Sequence, residues 1–324
     1  MDNKKRIILI LGVNNFVGYN IAFHLSKKFN IIGTYSKNIK TYNNLETYRL
    51  KKLVKNKIKL IKYTSPKNNL LEIVEKYKPD IFIFNMFISK NWDTNKYDYK
   101  KNKKLIFNNV PELISCLKVI NCKGFIITGS SEDYKDRKGK ILEKFTSSPS
   151  NAYGKLINLY SRKVQNLCKK SKLNYVYFRI FSPFGVLDKK NKIIEEFLVS
   201  KKNFLKINNI NVQRNFTYIK DIAKSYEEII NLFLIKNNYS ILINLSNDKK
   251  HSLKYFLNKI LSTFNKKIYI INNKQNLIDK LYYGTPITRN KKKYFTYKFK
   301  ELDHSLRDIY KDVNSLYLDY YKQK

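Results

Sequence analysis

Apolar residues fall into short uninterrupted runs along the first half of the chain, and the stretches between those runs carry apolar residues at helical spacing. Residues 6–11 form a β-branched and aliphatic run that stops at Gly12. Residues 16–29 follow with Ile21, Leu25 and Phe29 on one side, which predicts a strand, a turn and a helix. Further strands are predicted over 31–35, 58–63, 80–85, 124–128 and 175–178. The helices predicted between them cover 70–77, which ends before Pro79, then 105–119, where Pro111 is a kink or a first-turn residue, and 153–168. Strands without alternation are buried on both faces, so the predicted class is α/β, a doubly wound parallel sheet covered by helices. Beyond Arg179 the pattern loosens, with a helix near 222–233, a strand near 241–245, a helix after Ser252 and a loop at 290–293.

Composition narrows the class without changing it. Hydrophobic residues make up 43% of the 324 positions and aromatics 15%, so the many Lys and Asn residues decorate a folded body. Cys116, Cys122 and Cys168 are odd in number and follow no metal-ligand spacing, which fits free thiols in a reducing compartment and no zinc. His24, His251 and His304 are isolated, and there is no P-loop. The N-terminal apolar run is too short for a signal core and no later run reaches a membrane span, so a soluble cytoplasmic protein without membrane contact is expected. The net charge of +40 raises a nucleic-acid reading. Yet Lys is spread over the whole length together with Asn, Ile and Tyr, the residues an A/T-rich coding sequence supplies, so nucleic acid is not the expected partner.

The candidate chemistry begins at the first strand-to-helix turn, Gly12-Val13-Asn14-Asn15-Phe16-Val17-Gly18. Glycines there permit a tight turn and close approach to a pyrophosphate, and the helix start supplies donors, which is the Rossmann arrangement. Gly12 and Gly18 hold the outer positions; the middle one is Asn15, the residue type that best tolerates positive φ after glycine. Gly12, Asn15, Phe16, Val17 and Gly18, with Asn85 at the end of the fourth predicted strand, are therefore the expected dinucleotide cradle. An acidic residue at the end of the second strand would select NAD, but the chain has Tyr35-Ser36-Lys37. Ser36 and Lys37 suit a 2′-phosphate, which favours NADP(H) over NAD.

Several segments in order resemble the extended short-chain dehydrogenases/reductases of the NAD-dependent epimerase/dehydratase family, which act on nucleotide sugars. Beside the glycine turn these are Gly129-Ser130-Ser131-Glu132-Asp133-Tyr134, Asn151-Ala152-Tyr153-Gly154, the stretch from Arg179 to Gly185 with Ser182 in place of Asn, and Gln213-Arg214-Asn215-Phe216-Thr217-Tyr218-Ile219-Lys220-Asp221. The resemblance implies a Rossmann domain over 1–178 and a smaller lobe over 179–324, mainly for substrate, with parts near 215–245 returning to the Rossmann domain. It implies Tyr153 as catalytic acid/base and cofactor contact, Ser130 assisting it, and Glu132 at the general acid/base position of dehydratases. It further implies Ser131 and Arg214 on the nucleotide-sugar substrate, Arg214 at its diphosphate, and a homodimer. Each has a plainer counterpart: a serine at a strand end, a solvated loop carboxylate, a surface arginine. The family places a lysine four residues after the tyrosine, and this chain has Ile157. Lys155 lies about 200° around the helix from Tyr153. Either Lys155 reaches the ribose through an altered helix start, or the protein binds its ligands with little or no turnover, as a sensor or scaffold.

Overall fold

A computed structural model of the chain describes residues 5–64, 70–86, 96–134, 140–144, 148–199, 203–237, 239–273, 285–287 and 293–322. The elements are β1 (Ile7–Leu11), α1 (Phe16–Leu25), β2 (Asn30–Tyr35), α2 (Asn44–Lys55), β3 (Lys59–Lys62), α3 (Leu70–Tyr77), β4 (Ile81–Phe84), α4 (Tyr99–Phe107), α5 (Val110–Val119), β5 (Gly124–Ser130), β6 (Lys140–Leu142), α6 (Ala152–Lys170), β7 (Asn174–Ile180), β8 (Pro183–Phe184), α7 (Ile193–Val199), β9 (Phe204–Asn208), β10 (Gln213–Arg214), β11 (Thr217–Tyr218), α8 (Ile219–Ile235), β12 (Ser240–Leu245), β13 (His251–Ser252), α9 (Leu253–Phe264), β14 (Tyr269–Asn273) and β15 (Thr285–Ile287), followed by the helices Leu302–Asn314 and Leu318–Tyr321.

Seven strands form one parallel sheet in the order β3-β2-β1-β4-β5-β7-β12, which runs outward in both directions from β1 and is the Rossmann-type doubly wound arrangement. The pleat sends alternate residues to opposite faces. Ile8 and Ile10 enter a core with α1, α2 and α8, while Leu9 and Leu11 enter a second core with α3, α4, α5 and α6, and all four are fully buried. Small two-stranded sheets, β9 with β14, β10 with β13 and β11 with β8, build the region after β7.

Two local expectations are corrected. The single helix over 105–119 is two helices, α4 and α5, parted at Asn109, whose φ of 53° is left-handed. Pro111 lies in the first turn of α5, where its missing N–H has no intrahelical partner to lose. Asn15 does not use positive φ: at φ −84° it caps α1, its side chain accepting from Gly18 N. The loop expected at 290–293 lies outside the described residues except for Lys293.

Candidate active site

The cradle residues stand at the carboxyl ends of neighbouring strands, where open parallel sheets hold ligands. Gly12 has φ +82°, and a Cβ there would sit 2.6 Å from the Asn85 carbonyl oxygen, so only glycine fits. Its N–H donates to Thr34 Oγ1 at 3.2 Å and Val13 N donates to Thr34 O at 2.9 Å, which ties the turn to β2. Asn15 and Asn85 close the other side. Asn85 Nδ2 donates to Gly12 O at 3.1 Å and to Asn15 Oδ1 at 3.0 Å, while Asn15 Nδ2 donates to Asn85 O at 3.0 Å. The Asn15 side chain also accepts Gly18 N at 2.8 Å. The N–H groups of Phe16 and Val17 have no protein acceptor among the described residues, so the first turn of α1 keeps donors for a pyrophosphate. The cradle fits a dinucleotide.

Past β2, the side chains of Ser36 and Lys37 are exposed, but their backbone N–H groups are engaged: both donate to the Tyr42 hydroxyl at 2.9 Å. Sequence reasoning missed Tyr42, because a tyrosine seven residues beyond a strand carries no signal of its own.

The catalytic candidates meet between β5 and α6. After β5 the backbone tightens into a single 3₁₀ turn, Ser131–Asp133, with the Ser130 hydroxyl accepting Glu132 N at 3.2 Å. At the start of α6, Asn151 Oδ1 accepts Gly154 N at 2.7 Å, and Asn151 Nδ2 donates to Glu132 Oε2 at 2.6 Å. A Cβ on Gly154 would lie 2.2 Å from Glu132 O, so the missing side chain lets the helix rest directly on the turn. Ser130, Ser131, Glu132 and Tyr153 are thereby brought together. Glu132 is 4% exposed, which removes the solvated-loop alternative. Beneath it Asp133 forms a buried ion pair with Arg179, whose guanidinium lies 4.4 Å from the Tyr134 ring centroid and also bonds the Tyr134 hydroxyl.

Tyr153 packs edge-on against Tyr97 with centroids 5.8 Å apart. Burial pushes its phenol well above the ordinary tyrosine range, and the neighbouring Tyr97 and Glu132 push in the same direction. The lysine position holds Ile157, which is fully buried in the apolar cluster with Leu156 and Tyr160. The helix start is regular, running from its cap at Asn151, and Lys155 is exposed. The altered start that would have brought Lys155 to the ribose is absent. Ser182, in place of the family's Asn, takes φ +35°, the left-handed region in which Asn is favoured among non-glycines.

Arg214 is carried by a different, two-stranded sheet. It lies on β10, paired with β13 so that Arg214 faces His251 in the register, and its Nη1 donates to Gln213 O at 3.0 Å. The chain reaches it from the end of β7 through β8, α7 and β9, and β11, which follows it, pairs in parallel with β8. Among the described residues no cluster of three or more His, Cys, Asp or Glu could hold a metal, and no helix is long and apolar enough to cross a membrane.

The model of the NAD dependent epimerase/dehydratase family matches residues 8–277. Bifunctional polymyxin resistance protein ArnA of Wigglesworthia glossinidia brevipalpis is 28% identical over 280 residues, covering 78% of this chain and 40% of that protein. The dTDP-D-glucose 4,6-dehydratase of Dictyostelium discoideum is 30% identical over 272 residues, 74% of this chain and 60% of that protein. The chain thus spans less than two thirds of the length of either relative. Among solved structures, UDP-glucuronic acid 4-epimerase from Bacillus cereus in complex with UDP-glucuronic acid and NAD superposes with a TM-score of 0.80 at 19% identity, covering 96% of this chain and 100% of that one. UDP-N-acetylglucosamine 4-epimerase from Methanobrevibacter ruminantium M1, in complex with UDP-N-acetylmuramic acid, gives a TM-score of 0.76 at 17% identity over 97% of this chain and 99% of that one. At these identities the shared feature is the fold.

Proposed function

Since this chain belongs to the NAD dependent epimerase/dehydratase family, we propose that it is an NAD(P)-dependent enzyme acting on a nucleotide sugar, and that its reaction is the reduction of a keto sugar with Tyr153 as proton donor. One observation carries the choice: Ile157, fully buried, stands where a lysine would favour the phenolate, and burial together with the neighbouring Tyr97 and Glu132 raises the Tyr153 phenol in the same sense. Epimerisation and dehydration of a sugar begin by removing a proton from a hydroxyl, which calls for a phenolate. Reduction needs the opposite. A bound nicotinamide supplies hydride to the carbonyl carbon. Tyr153 gives its proton to the carbonyl oxygen as negative charge develops there, and is reprotonated from solvent.

The other residues support that step. The Ser130 hydroxyl, already accepting Glu132 N, has its own proton to donate to the same sugar oxygen. Asn151 holds the Glu132 carboxylate, and with it the turn that carries Ser130 and Ser131. The Arg214 guanidinium suits the substrate diphosphate through paired N–H donors. Phe16 and Val17 N–H suit the cofactor pyrophosphate, and a β2 end without an acidic residue suits NADP(H). In this reading residues 1–178 hold the cofactor and the lobe over 179–324, apart from the portion near 215–245, holds the sugar nucleotide, in a homodimer.

The buried Ile157 also favours a second reading, a relative that binds cofactor or nucleotide sugar as a sensor or scaffold with negligible turnover. Oxidation of the reduced cofactor in the presence of a 4-keto nucleotide sugar separates the two. The enzyme reading predicts turnover that falls at least about a hundredfold in Tyr153→Phe. It predicts no gain in Ile157→Lys. Absence of turnover in the wild type, or a large gain on restoring lysine, contradicts it.

A further inference from the structure

The exposed side chains of Ser36 and Lys37 leave open what reads the cofactor's adenosine ribose, because their backbone N–H groups are already spent on Tyr42. Tyr42 is 7% exposed and belongs to the core cluster that also contains Val13 of the cofactor turn. Its ring meets that of Tyr35 edge-on at 6.5 Å, and its backbone N–H closes the short 3₁₀ turn Ile39–Thr41 on Ile39 O. The hydroxyl is thus delivered from the core to the end of β2 by a fixed ring. With two N–H groups donating to it, the oxygen has used its acceptor capacity and its remaining role is to donate. Ser36 Oγ, at 3.4 Å, lies beyond the usual O–H···O length of about 3.0 Å, so the phenolic proton is not committed to it.

The surrounding groups are donors as well. Lys37 Nζ lies 5.7 Å from the Tyr42 ring centroid, and residues 35–43 contain no Asp or Glu to accept from a ribose 2′-hydroxyl. We infer that Tyr42 is the residue that selects a 2′-phosphate, its hydroxyl donating to a phosphate oxygen while Lys37 and the Ser36 hydroxyl supply the remaining donors. This rests on the dinucleotide reading of the cradle and replaces a contact through the Ser36 and Lys37 backbone, which is closed off. Clamping those two N–H groups also keeps the turn from reshaping to admit an unphosphorylated ribose as tightly.

The adenosine end can be tested by itself, with the full chain, by calorimetric titration of adenosine 2′,5′-bisphosphate against ADP. The expected result is tighter binding of the 2′,5′-bisphosphate by the wild type. Tyr42→Phe then loses about tenfold of that affinity while ADP is held within about twofold, since one hydrogen bond to a charged acceptor is removed. Lys37→Ala, which leaves the clamp intact, lowers the same preference. Equal weakening of both nucleotides by Tyr42→Phe would reduce Tyr42 to a scaffold for the turn and overturn the inference, as would a wild type that prefers ADP. Binding of neither nucleotide overturns the dinucleotide reading as well, and is distinct because no affinity then remains to compare.

Discussion

Asp133 and Arg179 show how much of this site depends on single side chains. Asp133 is fully buried and Arg179 is 3% exposed, and the pair fastens the turn carrying Ser130, Ser131 and Glu132 to β7. Arg179 Nη1 also donates to Glu143 O at 3.2 Å, and the Tyr134 hydroxyl donates to Asn244 Oδ1 at 2.8 Å, which extends the network to β12. Removing one partner of such a pair leaves the other charge buried and uncompensated. Arg179→Ala is therefore predicted to cost about 3–5 kcal/mol, read from urea unfolding, a loss an exposed ion pair such as Lys249 with Glu301 would not produce. At this scale the chain was partly legible. The runs around Ser130 and Tyr153 announced themselves, but the partners that orient them, Asn151 on Glu132 and Arg179 on Asp133, join residues far apart in sequence, and nothing in their local spacing identifies such pairs.

At the level of elements, strands buried on both faces were visible as apolar runs, and most helices between them by their spacing, whereas two further helices were not. α2 is rich in Lys and was missed, although Asn43, which caps it by accepting Glu46 N at 2.8 Å, stands three residues before that Glu as a start signal. The helix Leu302–Asn314 was missed despite Leu302, Leu306, Ile309 and Val313 recurring on one face. α2, α7 and the last helix, Leu318–Tyr321, meet at a latch. Arg49 of α2 is 2% exposed and its Nε donates to Leu187 O at 2.9 Å, while Glu195 of α7 accepts from Leu187 N at 3.1 Å and from the Tyr321 hydroxyl of the last helix at 2.7 Å. Burial pushes the Glu195 carboxyl up to about 7, with the Tyr321 hydrogen bond and Arg49 only partly opposing it. A carboxyl whose folded pKa is raised holds its proton longer in the folded state, so its contribution is complete below about pH 4.5 and is lost as the pH rises through about 7. The wild type should lose up to about 3 kcal/mol over that window relative to Glu195→Gln. Thermal midpoints of the two proteins against pH check this; parallel curves would contradict it.

Across the whole molecule, 65 Lys and Arg face 25 Asp and Glu. Acids that meet cations do so at scattered places, Asp80 with Arg6, Glu227 with Lys28, Asp312 with Lys220, while Glu132 and Glu195 are buried at the candidate site and the latch. The doubly wound order needed only the succession of buried runs and intervening helices, which is why the fold could be read from the chain. The protonation state of Tyr153 could not, since it depends on Tyr97 arriving from the segment before α4 and on Glu132 held from β5. That state is the centre of the account, and the rate of keto-sugar reduction against pH reports it most directly. A tyrosine held protonated predicts a kcat that is flat from about pH 6 to about pH 9 and lost in Tyr153→Phe. A kcat that climbs close to tenfold per pH unit across that range, as a phenolate base would give, would contradict it.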